Sequence, residues 1–499
     1  MWLAIVPVRI DAAATGGTFL DRDPAQVRVA TFNVNWDSIY SRVNPARAAG
    51  FARLAAAVAP DIWAFQELDT TTLGQTASTA GELGVLLDLV QPVPGGWHVY
   101  KSGELAFASR WPLGFTRSNI LPAGSKPVVA ALVDLPNDIY PVDLYLLNSH
   151  HKCCSGLSNE VSRQSSSDAM VSWMRDARTP GGAVSLPYAT PMVALGDFNI
   201  VGGTQPLTTI LGGDIRDTAR YGEDSPPDWD GTENGLVDAR HNGLVEGDTY
   251  TWRNDTGGFA PSRLDFITYS DSVLAIGTSF VVNTVAMSDT ELAAVGLERY
   301  DATYDGSRGV YDHLPLVVDF ALRPSTSLAL TIDVAAGTLT QAEAGFVAIP
   351  LAPQVTKTGV GRLVLDTTNR YTGPTLIRSG TLAIVDPAAI VASTLVDVSP
   401  SATFDVSGLS TSFGVSAGQT LAGSGAVVGS VVFGRGATLS PGSGSGVDGL
   451  ALMSAGGGSG PMATMAAVPE PGGLTLAALA GLVVMVCVCG RRVAVSLRA

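Results

Sequence analysis

Between residues 26 and 323, apolar runs of strand length keep alternating with stretches of helical spacing, and this interleaving restricts the fold more than anything else in the chain. "VRVATFNV" (27–34), "DIWAFQEL" (61–68) and "VDLYLLNSH" (142–150) are rich in β-branched and aromatic residues and end in polar residues, as strands do. "ARAAGFARLAAAVAP" (46–60) has helical spacing and stops at Pro60, and "RQSSSDAMVSWMRDA" (163–177) has a similar character. Strands and helices interleaved over that length predict one large α/β domain with a layered core.

The polar residues that end these strands point toward chemistry. "VALGDFNI" (193–200) runs from a buried apolar stretch into Asp197 and Asn199. Side chains alternate along a strand, so these two are expected to emerge together, with Phe198 anchored on the other face. A charge at the edge of a core is paired, hydrated or bound to metal. Taken alone the stretch also fits a turn, where Gly, Asp and Asn are common. Five further stretches repeat the pattern: "ATFNVN" with Asn33 and Asn35, "DIWAFQELD" with Gln66 and Glu67, and "LLNSHHKCCSG" with Asn148, His150 and His151, then "SRLDFI" with Asp265 and "YDHLPLVVDF" with Asp312 and His313. The chain has only five histidines, and three of them fall in these stretches. A local cap or salt bridge accounts for any one stretch more easily than for all six.

The charge is divided unevenly. Residues 1–323 hold 22 basic and 37 acidic side chains, and the rest holds 8 of each, so the whole formal charge of −15 lies in the first part. No Lys/Arg block occurs there, which argues against polyanion binding through a basic patch. Phosphates remain accessible to an acidic protein when a divalent metal bridges the charges. The four cysteines form two close pairs, Cys153–Cys154 and Cys487/Cys489, and suggest neither a disulfide framework nor a spaced zinc site. Cys153 and Cys154 fit reduced thiols, a vicinal disulfide or local packing.

After Phe320 the texture changes. Residues 324–455 are rich in Gly, Ser, Thr, Val, Leu and Ala, with short β-prone runs between Gly and Asn turns. This reads as a β-solenoid-like stalk, with a Gly/Ser linker as the alternative. A linker (456–467) leads to "VPEP" (468–471), an apolar run at 472–490 long enough for a transmembrane helix, and Arg491–Arg492. Residues 1–25 make a poor or truncated export signal, with an apolar stretch of seven residues and Arg9 soon after.

The order of Asn33, Glu67, His150, Asp197-Phe198-Asn199, Asp265 and Asp312-His313 resembles the endonuclease/exonuclease/phosphatase superfamily, the deoxyribonuclease I-like proteins. "GDFN", "SRLDF" and "DHLP" are its most specific parts, and "ASRWPL" (108–113) also resembles a family segment. The resemblance covers roughly residues 26–323 and implies a four-layer α/β sandwich, with two face-to-face sheets and helices outside. It implies a metal-dependent phosphoric ester hydrolase. Glu67 would be the main ligand to Mg2+ (or Mn2+, with Ca2+ as a further alternative), with Asn33 and Asp312 nearby. Asp197 would be the general base, and Asn199 would hold the water or the phosphate. His150 and His313 would donate to phosphoryl oxygens, and Asp265 would orient His313. Matching "Asn-x-His" selects His150, with His151 as the fallback. Asn35 stands where some relatives carry a second acidic residue, so a second metal is not implied.

Two further resemblances concern the C-terminal third. "VTKTGVGRLVLDTTNRYTGPTLIRSGTLAIVD" (355–386) resembles the autotransporter-associated β-strand repeat, and residues 468–499 resemble a PEP-CTERM sorting signal. The latter implies an exosortase-type partner, membrane contact before processing and a location in the envelope, at the surface or outside the cell. An ordinary tail anchor is the alternative. The combined expectation is an exported or surface-held phosphodiesterase acting on nucleic acid. The alternatives are a sphingomyelin-like phospholipid, inositol or sugar phosphate substrate, or a non-catalytic surface or biofilm-matrix protein. A lipid substrate would call for exposed aromatics near the site, with Trp97, Trp111 and Trp252 as candidates.

Overall fold

The structure is a computed structural model. It describes residues 19–441 apart from 70–75, 119, 121–126, 141, 243–247, 255–258, 304–311, 323–328, 350–351 and 353, and beyond 441 only strand segments at 451–453, 465–467, 484–488 and 491–495.

The first seven strands are β1 (Val27–Asn33), β2 (Ile62–Gln66), β3 (His98–Ser102), β4 (Leu105–Ser109), β5 (Leu113–Arg117), β6 (Val128–Val133) and β7 (Leu144–His150). The next seven are β8 (Met192–Asp197), β9 (Gly235–Leu236), β10 (Trp252–Arg253), β11 (Asp265–Tyr269), β12 (Leu274–Val281), β13 (Asp312–His313) and β14 (Leu316–Leu322). They form two six-stranded sheets, β12-β14-β1-β2-β4-β3 and β5-β6-β7-β8-β11-β9, and a small β10-β13 ladder. The longer helices are α1 (Pro45–Val58), α2 (Ala80–Val90) and α3 (Leu157–Ala177).

Two apolar layers meet across the middle, where Val29, Val129, Leu146, Val193, Leu195 and Ile267 are buried in one continuous core. Helix α1 covers the outer face of the first sheet, with Phe51 against Trp63 and Phe65. Helix α3 covers the outer face of the second, where Met170 and Met174 pack with Tyr145, Leu147 and Ala194. The layered α/β expectation is met.

Local chemistry explains the helix boundaries. The Asn44 side chain caps α1 through the Arg47 amide, Pro45 fits the first turn, and the helix ends at Ala59 in the left-handed region before Pro60. The sequence reading missed α2. Its signal was a capping box, Thr79 with Glu82 three residues on, before an apolar repeat. Helix α3 begins six residues earlier than "RQSSSDAMVSWMRDA" suggested.

From Leu330 to Pro441 the strands pair in parallel. Leu330–Asp333, Val355–Thr358, Thr375–Ile377, Leu395–Val398, Thr420–Gly423 and Thr438–Pro441 follow one another in one sheet. Most strands that alternate with them in sequence form a second sheet, in which Leu363, Leu382, Phe404 and Val427 stack in register and are all buried, while Phe413–Val415, Val431–Phe433 and Met465–Ala467 form a third. Lys357 occupies a buried position in the first sheet, and its ammonium is satisfied by the carbonyls of Thr358, Gly359 and Ser379. Tyr188 joins the two regions, donating its amide to the Ala348 carbonyl at 2.8 Å and packing edge-on against Phe346.

Among the described residues no helix is long and apolar enough to cross a membrane. The helix expected over 472–490 is not formed at Val484–Val488, which pairs antiparallel with Arg491–Val495. The β-branched residues Val484, Val486, Val488, Val493 and Val495 alternate there, a pattern that suits a strand. The rest of that run, the "VPEP" stretch and residues 1–18 lie outside the described residues.

Candidate active site

Strand direction gathers the polar ends. β1 pairs parallel with β2, and β7 pairs parallel with β8, so Asn33, Gln66, His150 and Asp197 finish at one end of the sandwich. β11 and β14 run antiparallel to β8 and β1, and therefore start at that same end. This brings Asp265 directly opposite Asp197 and delivers His313 just before β14. Two carboxylates facing each other across a ladder repel. His313 resolves the conflict by pairing through Nδ1 with Asp265 Oδ2 at 2.7 Å, while its Nε2 lies 3.6 Å from Asp197 Oδ2.

The other sheet closes the cluster. Asn33 Nδ2 donates to Glu67 Oε1 at 2.9 Å and to Asp197 Oδ2 at 3.2 Å. His150 Nε2 lies 3.5 Å from Asp197 Oδ2 and 3.9 Å from Glu67 Oε1. On its far side, His150 Nδ1 lies 3.2 Å from Glu104 Oε1. Asp312 sits beside His313 with its backbone opposite Arg253. Residues from both sheets thus converge on Asp197.

Burial and mutual charge set the protonation states. Burial pushes the Asp197 carboxyl up to about 6, with Asp265 and Glu67 adding to the rise and His313 and His150 opposing it. Burial alone would lower His313, but Asp265 and Asp197 outweigh it and hold the imidazole up to about 10. His150 likewise resists the effect of burial, and is raised by Glu104, Asp197 and Glu67. At neutral pH these values leave an ionised Asp197 beside a protonated His313, with His150 shifted toward its charged form.

Several side chains reach the site because the backbone leaves its strand abruptly. Glu67 (φ 58°) and Asn199 (φ 47°) both adopt the left-handed region. Such positions are costly for non-glycine residues and cluster at functional sites. The alternation expected through "GDFN" therefore stops at Asp197. Asn199 does not emerge beside it as a strand neighbour, but swings over to donate Nδ2 to the His151 carbonyl at 3.2 Å, with its amide on Asp197 Oδ1 at 3.0 Å. Asn35 (φ 48°) departs in the same way, donating its amide to Asn33 Oδ1. Gly196 is obligatory. Its φ is 130°, and a Cβ there would lie 2.0 Å from the Ser149 carbonyl oxygen of β7.

The adjacent histidines separate cleanly. His150 faces the carboxylates, whereas His151 is fully buried and stacks on Phe198 at 5.0 Å. Burial pushes His151 down to about 3 from an ordinary 6.5. Between those values the unfolded chain takes up a proton that the folded chain refuses, so stability falls as the pH drops below about 6.5. His151→Leu is expected to remove one proton's worth of that slope, roughly 1 kcal/mol per pH unit. Urea midpoints of both proteins at pH 7 and pH 5 measure it, and equal slopes would refute this account.

The sequence reading missed Glu104. It lies in the tight turn at Gly103 between β3 and β4, and the only signal was an acidic residue opening the apolar run "LAFAS". Gln66 and Asn148 turn inward and link the sheets, with Gln66 Nε2 donating to Asn148 Oδ1 at 2.7 Å. The aromatic candidates for a lipid surface divide. Trp97 is buried, and it and Trp111 flank the ends of β3 and β4 that pair with the start of β2, opposite the site. Trp252 pairs in register with His313 and stays at the site.

The donor set fits a divalent cation. Four carboxylates (Glu67, Glu104, Asp197 and Asp265) face two imidazoles, and a hard cation with oxygen ligands offsets such an excess. Asp197, Asp265 and His313 present ligand atoms within 4.8 Å of one another, close enough to hold a metal ion. His313 Nδ1 and Asp265 Oδ2 already engage each other, and Glu67 Oε1 accepts from Asn33 Nδ2, so a cation bound at either place would take over one of these contacts.

No curated protein matches the chain significantly. Solved structures with similar folds include the human Nocturnin catalytic domain with bound sulfate anion (14% identity, 60% of this chain and 94% of that one, TM-score 0.37). D. rerio TDP2 complexed with single strand DNA product matches at 14% identity over 59% of this chain and 99% of that one, with a TM-score of 0.37. The endonuclease/exonuclease/phosphatase from Bacteroides vulgatus matches at 13% identity over 60% of this chain and 99% of that one, with a TM-score of 0.38. Residues 355–384 match the Passenger-associated-transport-repeat. The sequence profile of the Endonuclease/Exonuclease/phosphatase family matches residues 30–289, a span that contains Asn33, Glu67, Glu104, His150, Asp197, Asn199 and Asp265, and the chain belongs to that family.

Proposed function

We propose that the protein is a divalent-metal-dependent phosphodiesterase that hydrolyses nucleic acid outside the cytoplasm. One observation carries the reading: Asp197 stands within 3.6 Å of both His150 Nε2 and His313 Nε2, and each of these rings is backed by its own carboxylate. Phosphodiester hydrolysis needs an acceptor for the water proton and donors for the phosphoryl and leaving oxygens. Asp197 Oδ2 takes the proton. His313 Nε2 and His150 Nε2 give hydrogen bonds to the phosphoryl group, while Asp265 and Glu104 hold the rings in place and favour their charged forms. Asn199 borders the same space. Mg2+, held by Glu67 and Asn33 with Asp312 nearby, would polarise the phosphoryl oxygen and neutralise developing charge.

The region from Leu330 to Pro441 fits a β-solenoid-like stalk, supported by strands that pair in parallel with a new strand in the longest sheet about every 20 residues. The tail from 468 onward fits a sorting signal read by an exosortase-type enzyme, supported by the order of Pro-Glu-Pro, apolar run and arginines. A phospholipid substrate is the second reading, favoured by half-buried Trp252 beside His313 and by Phe259, 73% exposed and close to Trp252 in sequence.

The purified chain with Mg2+ or Mn2+ is expected to cleave a model phosphodiester, and EDTA to abolish turnover until metal is restored. Activity that survives exhaustive chelation would overturn the metal requirement. A panel of plasmid DNA, RNA, sphingomyelin and inositol phosphates then separates the substrate classes, and DNA or RNA is expected to lead.

A further inference from the structure

We infer that Cys153 and Cys154 form a reversible thiol-oxidation site whose state is transmitted to His150. Their sulfurs lie 2.8 Å apart, and the Cys154 side is open to solvent. The Lys152 ammonium sits 3.9 Å from Cys153 Sγ, a cation beside a sulfur that must become anionic to react. Cys154 adopts φ 73°, in the left-handed region.

The loop that carries this pair is fastened to the site. Arg163 of α3, wholly buried, donates Nη1 to the carbonyls of Lys152 (2.8 Å) and Cys154 (2.9 Å), and Nη2 to that of Val201 (2.6 Å). One guanidinium thus ties the segment after His150–His151 to the segment after Asp197–Asn199. The His151 amide on the Asp197 carbonyl and the Asn199 amide group on the His151 carbonyl complete the lacing.

Closure proceeds by exchange with a small disulfide. The Cys154 thiolate attacks one sulfur of the oxidant and expels a thiolate. Cys153 then attacks Cys154 Sγ and expels the second. The two cysteine protons pass to the two released thiols, so the cysteines are oxidised and the small disulfide is reduced. Adjacent α-carbons stand about 3.8 Å apart across a trans peptide, below the roughly 4.4 Å that ordinary disulfides span. Ring closure must therefore distort the 153–154 peptide, whose flanking carbonyls Arg163 holds. That distortion weakens the Arg163 bonds and shifts His150 from Asp197 and Glu104.

The test uses the full chain carrying Cys487→Ser and Cys489→Ser. Treatment with oxidised glutathione is expected to remove 2 Da from the peptide containing residues 153–154 and to abolish its maleimide labelling, both reversed by dithiothreitol. Hydrogen exchange across residues 150–156 is expected to rise in the oxidised protein. Phosphodiesterase turnover, the one arm that rests on the hydrolase reading, is expected to fall about 10- to 100-fold, the scale of a catalytic group displaced by about 1 Å. Adding Cys153→Ser and Cys154→Ser is expected to erase all four responses to oxidised glutathione while the reduced-state rate is kept. Failure of the mass change, or a response that persists without the two cysteines, would overturn the inference. If no substrate is cleaved in either state, the mass and exchange measurements still decide it.

Discussion

Asp197→Asn is expected to leave the fold intact and to lower phosphodiesterase turnover by about 10²–10⁴-fold, the usual cost of removing a general base. The asparagine keeps an oxygen for the Asn199 amide and fills the same volume, so the strand exit survives. It cannot accept a proton from water. In the wild-type protein the Asp197 carboxyl, pushed up to about 6, must be ionised to work, so activity is expected to decline as the pH falls through that value. A pH–rate profile with circular dichroism on the variant checks both statements. An Asp197→Asn protein that is folded and retains wild-type turnover would remove the mechanism.

Asp265→Asn is expected to act one step further back. Asp265 holds His313 through a 2.7 Å contact and is the largest single influence keeping that imidazole protonated. Without the carboxylate, His313 loses its proton at a lower pH than the value of about 10 that it reaches in the intact site. The alkaline limb of the pH–rate profile should therefore move toward neutrality. At pH 8 the variant is expected to lose about 10²–10³-fold in turnover, with part of the loss recovered at pH 6. A uniform loss at every pH would mean that Asp265 positions the ring without setting its charge.

Much of this site could be read in the sequence because strand alternation and polar strand ends are local properties. "GDFN", "SRLDF" and "DHLP" announce themselves through residue types that a core does not otherwise tolerate. What could not be read is how the backbone leaves a strand. Glu67 and Asn199 turn into the left-handed region, a consequence of contacts made by the folded sandwich, so a two-residue period carried past Asp197 misdirects Asn199. The choice between His150 and His151 has the same origin. It depends on which ring Phe198 stacks against, and that is a relation between two strands. Glu104 was missed because its partner is 46 positions away and nothing in its own neighbourhood marks it. In the C-terminal third, the strand-rich texture was legible in the Gly and Asn punctuation, whereas the buried Lys357 became intelligible only with three carbonyls around it.

The parallel pairing from Leu330 to Pro441 also bears on how such a chain can change length. Each strand there is bonded only to the one before and the one after in its sheet. A matching strand could be duplicated or excised in each sheet, and its neighbours would meet the same kind of parallel edge they met before. The length of this region is then counted in strands, a dimension that evolution or an engineer could reset without touching Asp197.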